Sequence, residues 1–174
     1  MKLKVLAICL LACLLAVNTG ATEPPGIRDL EIFGWVERVK LMNGALSMKA
    51  KLDTGAATSS LDATHIERFR RGGKRWVRFV LTDPETDETV EVEKPLVRMV
   101  QIVRHSGNYQ RRPVVEMDIC LGYHRRTVEV NLIDRTHFVY PMLLGRSALE
   151  GIALIDAGNS FLNSPRCEVE GSDE

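Results

Sequence analysis

The chain is built on a two-residue rhythm. In the run Leu46 to Leu52, Leu46, Met48, Ala50 and Leu52 fall on one side, and Ser47, Lys49 and Lys51 on the other. The pattern returns in Val77, Phe79 and Leu81, in Val90 and Val92, in Val115, Met117, Ile119 and Leu121, and in Val128, Val130 and Leu132. Successive side chains of an extended strand point to opposite faces, so alternation this sustained predicts half-buried antiparallel strands. Turn formers separate the runs: Asn43-Gly44, Gly72-Gly73, Asp83-Pro84, Ser106-Gly107-Asn108 and Leu121-Gly122. Short strands with regular turns predict an all-β sandwich or barrel. Two stretches read instead as brief helices, Asp62 to Arg70 with Asp62 as cap, and Arg146 to Leu149.

The N-terminus breaks the rhythm. Lys2 and Lys4 precede an apolar run from Val5 to Val17, closed by Thr19, Gly20 and Ala21. That is the order of a secretory signal, and the run is short for a bilayer span. The expected layout is a signal peptide over 1–21, a breaker-rich linker over 22–31, one domain over 32–164 and a flexible tail over 165–174. Export to the periplasm is expected, with no stable membrane span after cleavage. The alternative is a membrane anchor, through an uncleaved leader or a lipidated Cys13. Removing Lys2 and Lys4 from the 23 basic residues leaves 21 against 23 acidic ones, a net charge of −2. That balance argues against a nucleic-acid partner. Cys120 and Cys167 are the cysteines left after the leader. An oxidising compartment permits them to pair, but spacing alone does not decide it.

One strand ends in a place that invites chemistry. After Leu52 come Asp53, Thr54, Gly55 and Ala56. Gly55 permits a tight turn, and the small residues leave room beside the carboxylate. Asp-Thr-Gly is also ordinary turn chemistry. A second stretch changes the balance: the apolar Met142-Leu143-Leu144 runs into Gly145-Arg146 about ninety residues later.

An apolar strand ending Asp-Thr-Gly-Ala, followed at that distance by Leu143-Leu144-Gly145-Arg146, resembles the paired signature of retropepsin-type aspartic peptidases. With "GWVERV" (Gly34–Val39), "VRF" (Val77–Phe79), "HSGNYQRRPVVE" (His105–Glu116) and "YPMLLGRSAL" (Tyr140–Leu149), the chain is similar to a bacterial retropepsin-like family long labelled an ATP-dependent zinc protease. The resemblance spans about Phe33 to Leu162. It implies an all-β, retropepsin-like (acid protease) closed barrel, a single lobe with one or two short helices. The label itself finds little support in the residues. No Gly-rich loop ending in Lys-Ser/Thr is present, and His65, His105, His124 and His137 lack His-Glu-x-x-His spacing. Neither ATP nor a metal nor another cofactor is expected.

The resemblance implies that Asp53 is catalytic, that Thr54, Gly55 and Ala56 form its loop, and that Leu143, Leu144, Gly145 and Arg146 support the loop from below. Aspartic peptidases need two carboxylates sharing a proton. One Asp-Thr-Gly per chain therefore implies a C2 homodimer, with Thr54 bonding across the axis and Gly55 offering backbone contacts to an extended peptide or protein substrate. The polar His105, Ser106, Gly107 and Asn108 would form the tip of a flap. Asp156, in Asp-Ala-Gly, is expected to be a turn residue, because the 16 residues after Gly158 cannot build a second lobe. Ala57 and Thr58 stand where the viral relatives place acidic residues, so the usual partner of Arg146 is missing. The alternative function is a peptide-binding module of the same fold that does not cut. Association of such proteins with ATP-grasp ligases suggests, by analogy, a glutamate-rich substrate.

Overall fold

The computed structural model describes residues 30–103 and 107–167. The signal peptide, all but the end of the linker, His105 and Ser106, and the tail beyond Cys167 lie outside the described residues. The alternating segments do become strands: β1 (Glu31–Gly34), β2 (Val36–Leu41), β3 (Leu46–Leu52), β4 (Ser59–Asp62), β5 (Thr64–Arg71), β6 (Lys74–Thr82), β7 (Thr89–Pro95), β8 (Arg98–Val103), β9 (Tyr109–Leu121), β10 (His124–Ile133), β11 (Met142–Leu144) and β12 (Ala153–Asp156). A 3-10 turn at Met42–Gly44 joins β2 to β3, and a one-turn helix, α1 (Arg146–Leu149), follows β11.

Six strands close into a barrel in the order β10, β4, β11, β3, β2, β9, with β9 returning to β10 over a long antiparallel register. The barrel is mixed, because β4 runs parallel to β10 and β11 parallel to β3. Closure leaves these six strands no open edge. The alternating apolar faces meet inside, where Leu41, Leu46, Met48, Leu61, Met117 and Leu144 are essentially sealed from water. β8 extends the sheet beyond β9, and β8–β9 is the hairpin expected to carry the flap, with Val103 opposite Tyr109.

β5, β6 and β7 form a separate three-stranded wing. The expected helix over Asp62 to Arg70 is not there. Asp62 closes β4, and its carboxylate accepts a hydrogen bond from Arg135 N (2.6 Å) instead of capping a helix. Gly72 and Gly73, at φ of 56° and 76°, make a tight turn that folds β5 onto β6. Cross-strand pairs such as Phe69–Trp76 then hold the segment extended. The other expected helix forms, as α1.

β1 and β12 pair in parallel as a two-stranded sheet beside the barrel. A strap after β12 crosses β2: Trp35 N donates to Asn159 O and Phe161 N to Val36 O. Its amides also reach Glu37, a fully buried carboxylate that accepts from Gly34 N (2.7 Å), Leu162 N (3.0 Å) and Asn163 N (3.2 Å). The strap ends in a disulfide between Cys167 and Cys120, with a Cα–Cα separation of 5.9 Å. Residues 165–167 of the expected tail are therefore held, since Arg166 N also donates to Gly122 O.

Candidate active site

Asp53 leaves the end of β3 at the point where the barrel supports it best. β11 runs alongside in register, Leu143 with Lys51 and Leu144 with Leu52, and Asp53 N donates to Leu144 O (2.8 Å). On the other side Leu52 N donates to Trp35 O. The loop then turns back on its own carboxylate. Gly55 N (3.0 Å) and Ala56 N (3.2 Å) both donate to Asp53 Oδ1. Oδ2 is left for solvent and for Lys51 Nζ, at 3.5 Å, and the side chain is 25% exposed. A carboxylate with one oxygen fixed by two amides and the other open to water is oriented without being used up.

The second motif grips the loop from beneath. Arg146 N donates to Ala56 O (2.9 Å) and Ser147 N to Ala57 O (3.2 Å). Gly145 N donates to Ser59 Oγ (3.2 Å), and Asn131 Nδ2 donates to Ser59 O (2.6 Å). Gly145 lies so close to the preceding turn that a Cβ there would come within 2.6 Å of Thr58 O and 2.9 Å of Thr58 N. Only glycine fits. Arg146, whose partner was missing from the sequence, bonds to backbone: Nη1 donates to Thr54 O and Gly55 O, each at 3.0 Å. Thr54 and Gly55 themselves face solvent.

Leu143 to Arg146 thus lie against the end of β3 and the Asp53 loop. Of the expected flap residues, Gly107 and Asn108 are exposed at the tip of the β8–β9 hairpin, and His105 and Ser106 lie outside the described residues. A groove of about 950 Å³ runs under that hairpin, lined in part by Arg68, Met99, Ile102, Arg111, Arg112 and His137. Asp53 does not line it. Arg112 is held in the groove wall by Asn131 Oδ1 (3.0 Å) and Gln110 Oε1 (2.9 Å). Among the described residues no three His, Cys, Asp or Glu side chains converge as metal ligands. No helix among them is long and apolar enough to cross a membrane.

Asp156 closes β12 in a turn of the same local kind as that of Asp53. Its Oδ1 accepts from Gly158 N and its Oδ2 from Asn159 Nδ2, both at 2.8 Å, and the Asn159 amide holds its carboxyl below the usual range. The turn follows the strand rather than preceding one. Both oxygens are occupied, which separates it from Asp53.

Glu37, Lys51 and Ser59 escaped sequence reasoning as site residues. Glu37 had a signal of its own, a charge on the alternation's inward side of β2, paired in register with buried Ala50.

Known proteins share this fold and sequence. A solved structure of a protein of unknown function from Legionella pneumophila superposes with a TM-score of 0.65 at 36% identity, covering 75% of this chain and 96% of that one. Proteins named "Probable alpha-L-glutamate ligase" from Shewanella halifaxensis (34% identical over 129 residues, 73% of this chain) and Parasynechococcus marenigrum (35% over 119 residues, 67%) also match. The chain spans only 28% and 26% of those two relatives, about a quarter of their length. The model of the RimB-like family, described as "Retropepsin-like aspartic endopeptidase RimB", matches residues 32–166, and the chain belongs to that family.

Proposed function

We propose that the protein is an aspartic endopeptidase whose catalytic pair is Asp53 and the Asp53 of a second copy, facing each other across a twofold axis. The observation that carries this is the Asp53 loop: one carboxylate oxygen held by two amides, the other open, on a support made by the second family motif. In the dimer the two carboxylates share one proton. The ionised one takes a proton from a water as its oxygen attacks the scissile carbonyl, and the protonated one gives its proton to the carbonyl oxygen. Collapse of the tetrahedral adduct releases the amine with a proton returned from the pair.

The dimer also has a natural seam. No described strand pairs with the outer edge of β12. Ile32 and Leu154, register partners on β1 and β12, are both well exposed. A two-stranded sheet is marginal by itself, and pairing β12 with its copy gives four strands and covers this apolar pair. The disulfide supports an oxidising, exported location. The cations in the groove, with the glutamate ligases among the relatives, support a glutamate-bearing peptide as substrate.

The test compares cleavage of a peptide library by the native chain and by Asp53→Asn. Cleavage lost in the variant supports the assignment. Equal cleavage refutes it, and binding without any cleavage by the native chain supports the non-catalytic peptide-binding module instead. Sizing in solution tests the pair, because a strictly monomeric active protein is incompatible with it.

A further inference from the structure

The β5–β6 hairpin ends in a patch of one sign that the Asp53 loop does not use. Arg68, Arg70, Arg71, Lys74 and Arg75 are all exposed around the Gly72-Gly73 turn, and no acidic residue lies between Arg68 and Arg75. A Cβ on either glycine would meet nothing within 4 Å, so the tip stands clear of the rest of the fold. The register sets like charges face to face, Arg70 opposite Arg75 and Arg71 opposite Lys74. Such pairs weaken a hairpin. Arg71 bonds to Glu93 on β7, but among the described residues Arg68, Arg70, Lys74 and Arg75 pair with no carboxylate. Cations often blunt the open edge of a sheet. That accounts for β5, an edge strand, and not for Lys74 and Arg75, which begin the central strand β6.

Behind the tip sits an aromatic pair. Phe69 opposes Trp76, and the Arg71 guanidinium lies over both rings, 5.2 Å and 4.9 Å from their centres. The Trp76 Nε1–H is buried and has no hydrogen-bond partner among the described residues. Unpaired cations beside an unpaired indole donor are complemented by an anionic surface rich in hydrogen-bond acceptors.

We infer that the β5–β6 tip docks on an anionic lipid surface, with Arg70, Arg71, Lys74 and Arg75 against headgroup phosphates and Trp76 at headgroup level. A tip that projects into open space has no pocket for a small anion but can present its charges to a broad one. The near-zero charge balance of the chain weighs against a nucleic acid as that partner. The disulfide supports an exported location, where the outer face of a membrane is at hand. As the tip docks, Arg71 exchanges Glu93 and the two rings for phosphate, which opens the Trp76 ring to lipid acceptors. The contact is independent of the peptidase reading.

The test sediments the full chain with phosphatidylglycerol or phosphatidylcholine vesicles. Anything contributed by the residues before the barrel is common to every variant. The native chain is expected to prefer phosphatidylglycerol, and to lose that preference as salt rises. Each tip cation is worth about fivefold in partitioning, so Lys74→Gln with Arg75→Gln should weaken binding about 25-fold. Lys40→Gln with Lys49→Gln removes the same charge from exposed sites elsewhere and should change it less than about twofold. Equal weakening by the two pairs, or no preference for the anionic vesicles, overturns the proposal. So does retention of duplex DNA or hexaglutamate through the same tip residues while the vesicles are ignored. The tip pair should melt no lower than the native chain, because it removes like-charge contacts. A lower melting temperature makes these cations structural and overturns the proposal too. Trp35→Phe leaves Trp76 as the one indole, and its emission should shift to the blue with phosphatidylglycerol vesicles. An unchanged spectrum refutes its place at the headgroups.

Discussion

Glu37→Ala removes a side chain that ties the bend between β1 and β2 to the strap after β12. The carboxylate is fully buried and accepts three backbone N–H groups, one from the β1–β2 bend and two from the strap. Truncation leaves Gly34, Leu162 and Asn163 amides without this acceptor. Each buried donor left unmade costs about 1–3 kcal/mol, and water entering beside the strap recovers some of the total. A net loss of about 3–5 kcal/mol follows, a large share of the roughly 5–15 kcal/mol that holds such a domain. Glu37→Gln is the sharper probe. Its remaining carbonyl oxygen can still serve Gly34 N and Leu162 N, both of which use Oε1, but its NH2 group then faces Asn163 N, donor against donor. We expect a loss of about 1–3 kcal/mol. Urea unfolding of the oxidised protein measures both, and hydrogen exchange reads the individual amides. Exchange at Asn163 should accelerate in both variants, and at Leu162 only in Glu37→Ala. A cost below about 0.5 kcal/mol for Glu37→Ala, or unchanged exchange at Asn163, would refute the reasoning.

Other expectations follow from the same contacts. Gly145→Ala forces a Cβ onto the Thr58 backbone, so it should abolish peptidase activity and lower the melting temperature. Arg146→Ala loses two bonds to exposed loop carbonyls and should lower kcat about tenfold or more while shifting stability by less than about 1 kcal/mol. Replacing Cys120 and Cys167 with serine opens a loop closed over a separation of 47 residues and should cost about 4 kcal/mol, read from denaturation midpoints against the oxidised native chain. Asp156 has its folded-state carboxyl depressed by Asn159 and Gly158, so its contribution is complete above the ordinary Asp range near pH 4 and is lost as the pH falls below it. Asp156→Asn should flatten that acid limb in a melting-temperature profile by lowering the neutral-pH value, where the ionised carboxyl contributes fully, so that the two profiles converge in acid.

The longer strands were legible because one side of each faces the buried core, which writes burial into the residues as alternation. The segment from Asp62 to Arg70 misled because Asp62 offered a helix cap ahead of Ile66 and Phe69. On β5 those two side chains point to opposite faces, one into the groove and one against Trp76. Only the pairing with β6, a non-local event, decides between the two. The Asp53 loop and its support were readable as a pair of motifs. The partners of Arg146 were not, because backbone carbonyls carry no sequence signal. Glu37 binds amides contributed by two segments more than a hundred residues apart, and pairing at that range is invisible in the local pattern.

The disulfide and the β9–β10 turn have one last consequence. Arg166 and Cys167 are bonded to Gly122 and Cys120, and a Cβ on Gly122 would touch the Glu31 carboxylate. Glu31 and Cys167, near the two limits of the described residues, therefore come together at the β9–β10 turn. That turn is a shared anchor, so a change at Gly122 is felt at both limits at once.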